Sequence, residues 1–480
     1  MSETIREACG VFAIADAEEA SHLTYLGLYA LQHRGQESAG IVTSEEDDHY
    51  SHLGMGLVAD IFDEDALKRL KGNRGIGHVR YSTTGSSNLV NAQPLLCEYQ
   101  KGWVAVAHNG NLINWSELRN RLESKGSIFR TNTDSEILVH LLARSRRDHF
   151  LDALHDSLQH LRGAFSMVIM NKDYVIGLRD PFGIRPLSIG KCRGGYVFTS
   201  ETCALDIIGA EYVRSVEPGE MVIIDREGRM ESRFFGYEEK KAQCVFELVY
   251  FARPDSWVFG REVLPARENL GRHLWRECPT EGDEVVAVPD SSTASAIGYS
   301  LESGIPLRMG IIRSHYIGRT FIEPSQSIRD FGAKIKYNTV RSVLEGKRVI
   351  VVDDSIVRGT TIRKIVKMIR TAGAKEIHLR IASPVWIEPC YYGIDTPERS
   401  KLIGATHNLE EIQRHLRVDS LHYLSIEGLM EAVGAEEKDF CNACFSGRYP
   451  LKWNRNGYHQ DEDNHKNVIE GENRLVQIET

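Results

Sequence analysis

Val349-Ile350-Val351-Val352-Asp353-Asp354-Ser355-Ile356-Val357-Arg358-Gly359-Thr360-Thr361 is the stretch whose reading decides the fold. Its four branched apolar residues do not alternate with polar ones. A strand made of them must be buried on both faces, as in a parallel sheet. Two acids stand at its carboxyl end, where open α/β sheets bind ligands. A loop follows, then a helix from Thr361 with apolar positions at Ile362, Ile365, Val366 and Ile369, closing at Ala372-Gly373. Gly359, Thr360 and Thr361 at that helix start present N–H groups and hydroxyls, an anion site suited to a phosphate. Asp353 and Asp354 can accept from sugar hydroxyls and help hold magnesium, which favours oxygen ligands. Paired solvated acids at a strand end are common; paired acids followed by Arg-Gly-Thr-Thr are not.

The surrounding segments extend this α/β pattern. Val285 to Val288 is a second strand without alternation, and Val288-Pro289-Asp290-Ser291-Ser292-Thr293 follows it as a pyrophosphate loop would. Ile377 to Ile381 alternates, which places it nearer a sheet edge. Arg319 to Tyr337 is polar and carries Arg319, Arg329, Lys334 and Lys336, a candidate lid that brings cations to a leaving pyrophosphate. The Asp353 to Thr361 stretch resembles the type I phosphoribosyltransferase motif. The resemblance implies that Asp353, Asp354, Ser355, Arg358, Gly359, Thr360 and Thr361 bind phosphoribosyl pyrophosphate (PRPP). The candidate magnesium ligands are Ser291, Asp353 and Asp354.

The first half reads differently. Short strands are expected at Val104 to Ala107 and Met221 to Ile224, with a hairpin joining Phe165–Met170 to Tyr174–Leu178 across Asn171-Lys172-Asp173. Helical spacing appears at Leu23, Leu26, Tyr29 and Ala30, and from Ser135 to Leu142. Sheets covered by helices follow. Cys9 opens a strand-like run after eight mostly small or polar residues. If those are removed, Cys9 gains a free α-amine, whose ordinary pKa of about 7.7–8.0 lets it take up the proton of its own thiol. Arg80 can clamp an α-carboxylate in a bidentate pair, and Asp134 can hold an α-ammonium. Asn109 and the Gly110 N–H, just past a strand end, suit an oxyanion. The blander account makes Arg80 and Asp134 surface ion-pair partners and Asn109-Gly110 a hairpin turn.

Taken together, His33–Ser38, Gly77–Thr83, His108–Leu112 and Thr133–Glu136 resemble the class II glutamine amidotransferases. That family implies an αββα sandwich of the N-terminal nucleophile type. Cys9 would be the nucleophile after loss of a propeptide, with Asn109 and Gly110 as oxyanion donors and Arg80 and Asp134 as the glutamine-binding pair. Joined to the second half, from Cys9 to Gly447, the chain resembles the glutamine phosphoribosylpyrophosphate amidotransferase family. Val249-Tyr250-Phe251-Ala252-Arg253-Pro254-Asp255-Ser256 looks like its interdomain signature. The resemblance implies glutamine and PRPP as substrates, ammonia passed internally, coupling through the Tyr250 segment and the lid, purine nucleotides as feedback inhibitors, and a homotetramer. The expected organisation is a propeptide 1–8, a glutaminase domain 9–237, a phosphoribosyltransferase domain 238–447 beginning at the charge run Glu238-Glu239-Lys240-Lys241, and a polar extension 448–480. Ser292, Thr339 and Ala13 depart from the family's usual glycine, proline and glycine, and Ser292 bears on pyrophosphate binding.

Cys441 and Cys444 form a Cys-x-x-Cys pair, and Cys244 and Cys390 complete a set of four. Four thiolates suit tetrahedral zinc or a 4Fe–4S cluster. One branch of the amidotransferase family carries such a cluster together with a propeptide, which favours iron–sulfur, in a structural role. A net charge of −9 argues against bulk nucleic-acid binding, and no apolar run reaches the ~18 residues of a membrane span. The N-terminus lacks a signal-peptide core, so a cytoplasmic location is expected. Two rivals remain. A sugar-phosphate or asparagine-forming amidotransferase lacks the Asp353 to Thr361 motif, and a non-catalytic PRPP sensor has no use for Cys9 and its partners.

Overall fold

The computed structural model describes residues 9–81, 86–192, 194–236, 240–314 and 337–451. The first half contains two antiparallel sheets. One has seven strands, ordered Glu211–Ser215, Ser188–Cys192, Gly195–Thr199, Gly10–Ala15, Arg74–Arg80, Ser38–Glu45 and Asp48–Met55. The other has six, ordered Met230–Phe234, Glu220–Ile224, Val175–Arg179, Gly163–Asn171, Gly102–Leu112 and Leu95–Tyr99. Val11, Ala13 and Ile76 of the first sheet pack on Ala105, Ala107 and Val168 of the second. The outer face of the first sheet is covered by the helix Ala20–Ala30, and that of the second by Glu136–Arg144 and Phe150–Leu158. This is the expected αββα sandwich.

The expected hairpin forms, with Met170 opposite Val175. Its turn is closed by Asn171, whose side chain accepts from the Asp173 and Tyr174 N–H groups at 2.9 and 2.7 Å. One expectation is corrected here. Asn109 and Gly110 do not lie past a strand end. The strand runs unbroken over Gly102–Leu112, with Asn109 opposite Ser166 and Gly110 opposite Phe165. The hairpin-turn alternative fails for the same reason. Gly110 is at φ +147°, and a Cβ there would sit 2.0 Å from the Ala164 carbonyl oxygen, so the strand passes only with glycine.

The second half holds a parallel sheet ordered Glu284–Ala287, Arg348–Asp353, Glu376–Ile381 and Ser420–Tyr423. Val349 to Val352 are wholly buried. Val349 and Val351 face the helix Thr360–Thr371, while Ile350 and Val352 face Val263–Glu277 and Thr293–Ser303. The helix buries Ile362, Ile365, Val366 and Ile369, as its spacing requires. The edge expectation for Ile377–Ile381 is wrong, because Ser420–Tyr423 pairs along its outer side. The alternation has another cause. His378 bonds Ser420 Oγ at 2.9 Å, and the buried Arg380 donates to Thr280 and Ser420, so polar side chains are satisfied inside the sheet.

The join between halves is intimate. Gln243–Cys244 pairs in parallel with Phe440–Cys441, and the Cys244 N–H donates to the Ile184 carbonyl at 3.0 Å. The segment Glu247–Phe251 forms a π-helical turn inside a core shared by Ala164, Ile184, Phe246, Trp386 and Phe445. The lid cations Arg319, Arg329, Lys334 and Lys336 lie outside the described residues, as do Tyr237 to Glu239 and the extension beyond Leu451.

Candidate functional site

Two sites emerge. In the first, Cys9, Arg80, Tyr81, Gln93, His108, Gly110, Thr133, Asp134 and Ser135 line one pocket. The pairing of Gly10–Ala15 with Arg74–Arg80 brings Cys9 beside Tyr81. The Cys9 thiol donates to the Tyr81 carbonyl at 3.3 Å. Burial pushes the thiol above its ordinary range, although the Tyr81 hydrogen bond and the Arg80 charge work the other way. A buried thiol of this kind needs a base close at hand.

Arg80 is buried, and its Nη1 donates to the Ser86 carbonyl at 3.1 Å. Asp134 is buried too, with Oδ2 accepting the Leu112 N–H at 2.8 Å. These two are not surface charges. The fold brings both to one pocket. Asn109 is fully buried, yet neither polar atom of its amide has a hydrogen-bond partner among the described residues. Such orphans are rare and costly unless a ligand completes them. A developing oxyanion would accept from Nδ2 and leave Oδ1 to a donor.

Several residues here were not singled out by sequence. His108 Nδ1 lies 3.0 Å from Ser135 Oγ, and the His78 Nε2 lies 3.0 Å from the His108 carbonyl. Burial lowers the pKa of both, that of His78 to about 3, so neither carries charge at neutral pH. Gln93 accepts the His108 N–H at 2.8 Å. For His78, His108 and Ser135 a place in the quoted segments was the only signal, and Gln93 carried none. Behind Cys9, Arg34 Nε donates to the Cys9 carbonyl at 3.2 Å. Its guanidinium also bonds Glu201 and, at 2.7 and 3.0 Å, Glu247.

The second site gathers Asp353, Asp354, Ser291 and Ser355 at the carboxyl ends of two adjacent strands. Ser291 and Ser355 donate to the Asp354 carboxylate at 2.5 and 2.7 Å. The Asp354 N–H donates to Asp353 at 3.0 Å. Burial first, and then the neighbouring carboxylate, pushes Asp353 well above the usual carboxylate range; burial also raises Asp354. Two such acids are primed for a cation. Gly359 caps the following helix at φ +76°, and the Thr360 hydroxyl is buried without a partner, as an awaiting phosphate site would leave it. Ser292 takes φ −90°, open to any residue, and its Oγ bonds the Val288 carbonyl. Its departure from glycine is therefore accommodated without backbone strain. Arg267, missed by sequence, is fully buried. It donates to the Leu248 and Ala252 carbonyls at 2.9 and 2.7 Å, and its charge faces Asp354.

The four cysteines also converge. Cys244 is paired with Cys441 across a parallel bridge, and the thiols of Cys441, Cys244 and Cys390 all act electrostatically on Cys444. Burial pushes Cys244 up to about 12 and also raises Cys441 and Cys444 well above the usual thiol range. Among the described residues, no three His, Cys, Asp or Glu side chains crowd one point closely enough to hold a single ion. No described helix is long and apolar enough to cross a membrane.

A cysteine-lined pocket on an αββα sandwich, joined to a parallel sheet with an acid pair at its carboxyl end, is the architecture of a glutamine-dependent phosphoribosyl transferase. Residues 78–206 match the glutamine amidotransferase domain family and 275–383 the phosphoribosyl transferase domain family. The chain is 52% identical to amidophosphoribosyltransferase 1, chloroplastic, of Arabidopsis thaliana, over 94% of this chain and 80% of that protein. It is 49% identical to the amidophosphoribosyltransferase of Bacillus subtilis, over 93% and 95% of the two chains. The solved structure of the B. subtilis glutamine PRPP amidotransferase, complexed with ADP and GMP, superposes with a TM-score of 0.89 at 48% identity, covering 93% of this chain and 98% of that one. The chain belongs to the amidophosphoribosyltransferase family, pentosyltransferases that move the amide nitrogen of glutamine to PRPP in the first step of purine biosynthesis.

Proposed function

We propose that Cys9, freed by removal of residues 1–8, is the glutaminase nucleophile. Its new amine takes the thiol proton, and the thiolate attacks the glutamine carboxamide. Asn109 Nδ2 and the Gly110 N–H receive the oxyanion, Arg80 holds the α-carboxylate and Asp134 the α-ammonium. Asn109 carries this reading: its amide is buried and without a partner among the described residues, and it adjoins Gly110, which lines the pocket with Cys9. The intermediate collapses to a Cys9 thioester as the C–N bond breaks and the α-ammonium gives its proton to the leaving nitrogen; water then hydrolyses the thioester to glutamate, and the freed ammonia attacks the anomeric carbon of PRPP and displaces pyrophosphate. Ser355, Arg358, Gly359, Thr360 and Thr361 bind the phosphoribosyl end. Ser291, Asp353 and Asp354 would hold magnesium, whose charge stabilises the departing pyrophosphate. Two raised acids and a hydroxyl supply only part of an octahedral shell, so substrate oxygens and water supply the rest.

The four cysteines supply the donor set of a 4Fe–4S cluster, and the family resemblance favours it over zinc. Cys244, Cys390 and Cys441 are electrostatic neighbours of Cys444. Arg185 Nη2 is buried and without a partner among the described residues, and Cys244 and Cys390 act electrostatically on its guanidinium. Such a cluster would pin Cys244 and Cys390 to the C-terminal segment. All nine cysteines stand unpaired, as suits a reducing cytoplasm. Domains at 9–237 and 238–447, a homotetramer and inhibition by purine nucleotides complete the reading. Cys9→Ala is the direct test. It should abolish glutamine-dependent synthesis of phosphoribosylamine and keep the ammonia-dependent reaction; loss of neither would refute the assignment.

A further inference from the structure

The loop carrying Cys390 rests on the oxyanion strand. Asn111 Nδ2 donates to the Tyr391 carbonyl at 2.9 Å. Gly393, at φ +102°, packs so closely that a Cβ there would lie 2.9 Å from the Gly110 carbonyl carbon. Between them, the Tyr392 N–H donates to Cys390 Sγ at 3.3 Å, and the Tyr392 carbonyl accepts from Arg185 Nε at 3.0 Å.

Arg185 is wholly buried. Its Nη1 reaches Glu247 at 3.0 Å, and the same carboxylate grips Arg34, which holds the Cys9 carbonyl. Its Nη2 has no partner among the described residues, and the residue before it, Ile184, accepts the Cys244 N–H. Cys244 and Cys390 act electrostatically on this buried guanidinium, so an anionic guest among those thiols would complete it.

We propose that the four-cysteine site positions the glutamine site. Arg185 Nη2 donates to a sulfur of the guest, and the guest in turn holds Cys390–Gly393 against Asn109–Asn111 and keeps Glu247 and Arg34 aligned behind Cys9. Arg185 is thus a positioning residue, as outer-shell partners of metal sites commonly are. The inference rests on the four-cysteine reading above.

The test uses full-length protein purified without oxygen: wild type, Arg185→Met and Arg185→Lys. Metal content comes first. Wild type lacking both iron and zinc would refute the four-cysteine reading itself, before any variant is compared. With metal present, release to EDTA should be about tenfold faster in Arg185→Met, the scale at which outer-shell losses act. Arg185→Lys, which keeps the charge but not the fork, should fall between, and it serves alone if the methionine variant does not fold. Stripping metal from wild type should raise the glutamine KM about fivefold or more, with ammonia-dependent synthesis at saturating PRPP within about twofold. Equal release rates in all proteins, an unmoved glutamine KM, or parallel loss of both activities would overturn the proposal.

Discussion

Arg34 donates its Nε to the backbone carbonyl of Cys9 at 3.2 Å, so the residue that would carry the chemistry is held from behind by a buried cation. Arg34 is balanced by two fully buried carboxylates, Glu201 and Glu247. Removing one member of such a set leaves an uncompensated charge, at a cost of about 3–5 kcal/mol. Arg34→Met is therefore expected to lower the melting temperature and to raise the glutamine KM. Calorimetry and a glutamate-release assay check both.

The same network sets a pH dependence. Burial alone would raise Glu201, but His33 and Arg34 more than offset it and hold its carboxyl below the usual range. A depressed acid contributes stability that is fully present above the ordinary carboxylate pKa of about 4.3 and is lost as pH falls below it. Melting temperatures followed from neutral pH downward should drop through that window in wild type, and less steeply in Glu201→Gln.

Asn109→Ala should separate function from stability. It removes the proposed oxyanion donor, for an expected loss of about 10²–10³ in glutamine-dependent kcat. It also removes two buried polar atoms that have no partner, so the melting temperature should not fall. Ammonia-dependent synthesis should be unchanged. Steady-state kinetics with each nitrogen source distinguishes these outcomes.

Asp353→Asn makes the opposite case at the other end. Burial raises this carboxyl above its unfolded value, so its charge destabilises the free protein as pH rises beyond the ordinary carboxylate range. The amide should raise the melting temperature of the ligand-free protein at neutral pH. It should also abolish synthesis from either nitrogen source, with PRPP-independent glutaminase activity retained.

Some of this was legible from sequence and some was not. Val349 to Val352 announces a doubly buried strand because nothing polar interrupts it, and Thr360–Thr371 is fixed by its apolar spacing and by Gly373. The order of the seven-stranded sheet was not legible. Gly10–Ala15 lies between Arg74–Arg80 and Gly195–Thr199, partners separated by long loops that leave no local mark. Asn109-Gly110 looks like a turn by composition, yet the strand continues because Ala164 approaches where a side chain would stand. Nothing in the sequence marks Arg185, Glu247 or Arg267, and Arg34 stands out only within His33–Ser38. Only the fold shows that Arg34 and Arg185 share Glu247 inside the protein and that Arg267 meets the carbonyls of Leu248 and Ala252.

The central claim is that Cys9 acts as the first residue of the mature chain. Intact mass of the catalytically active protein tests it most directly. A mass short by Met1 to Ala8, increased by one adduct on Cys9 after treatment with a glutamine analogue bearing an electrophile, is the expected result. Full glutamine-dependent activity from protein that retains those eight residues would contradict it.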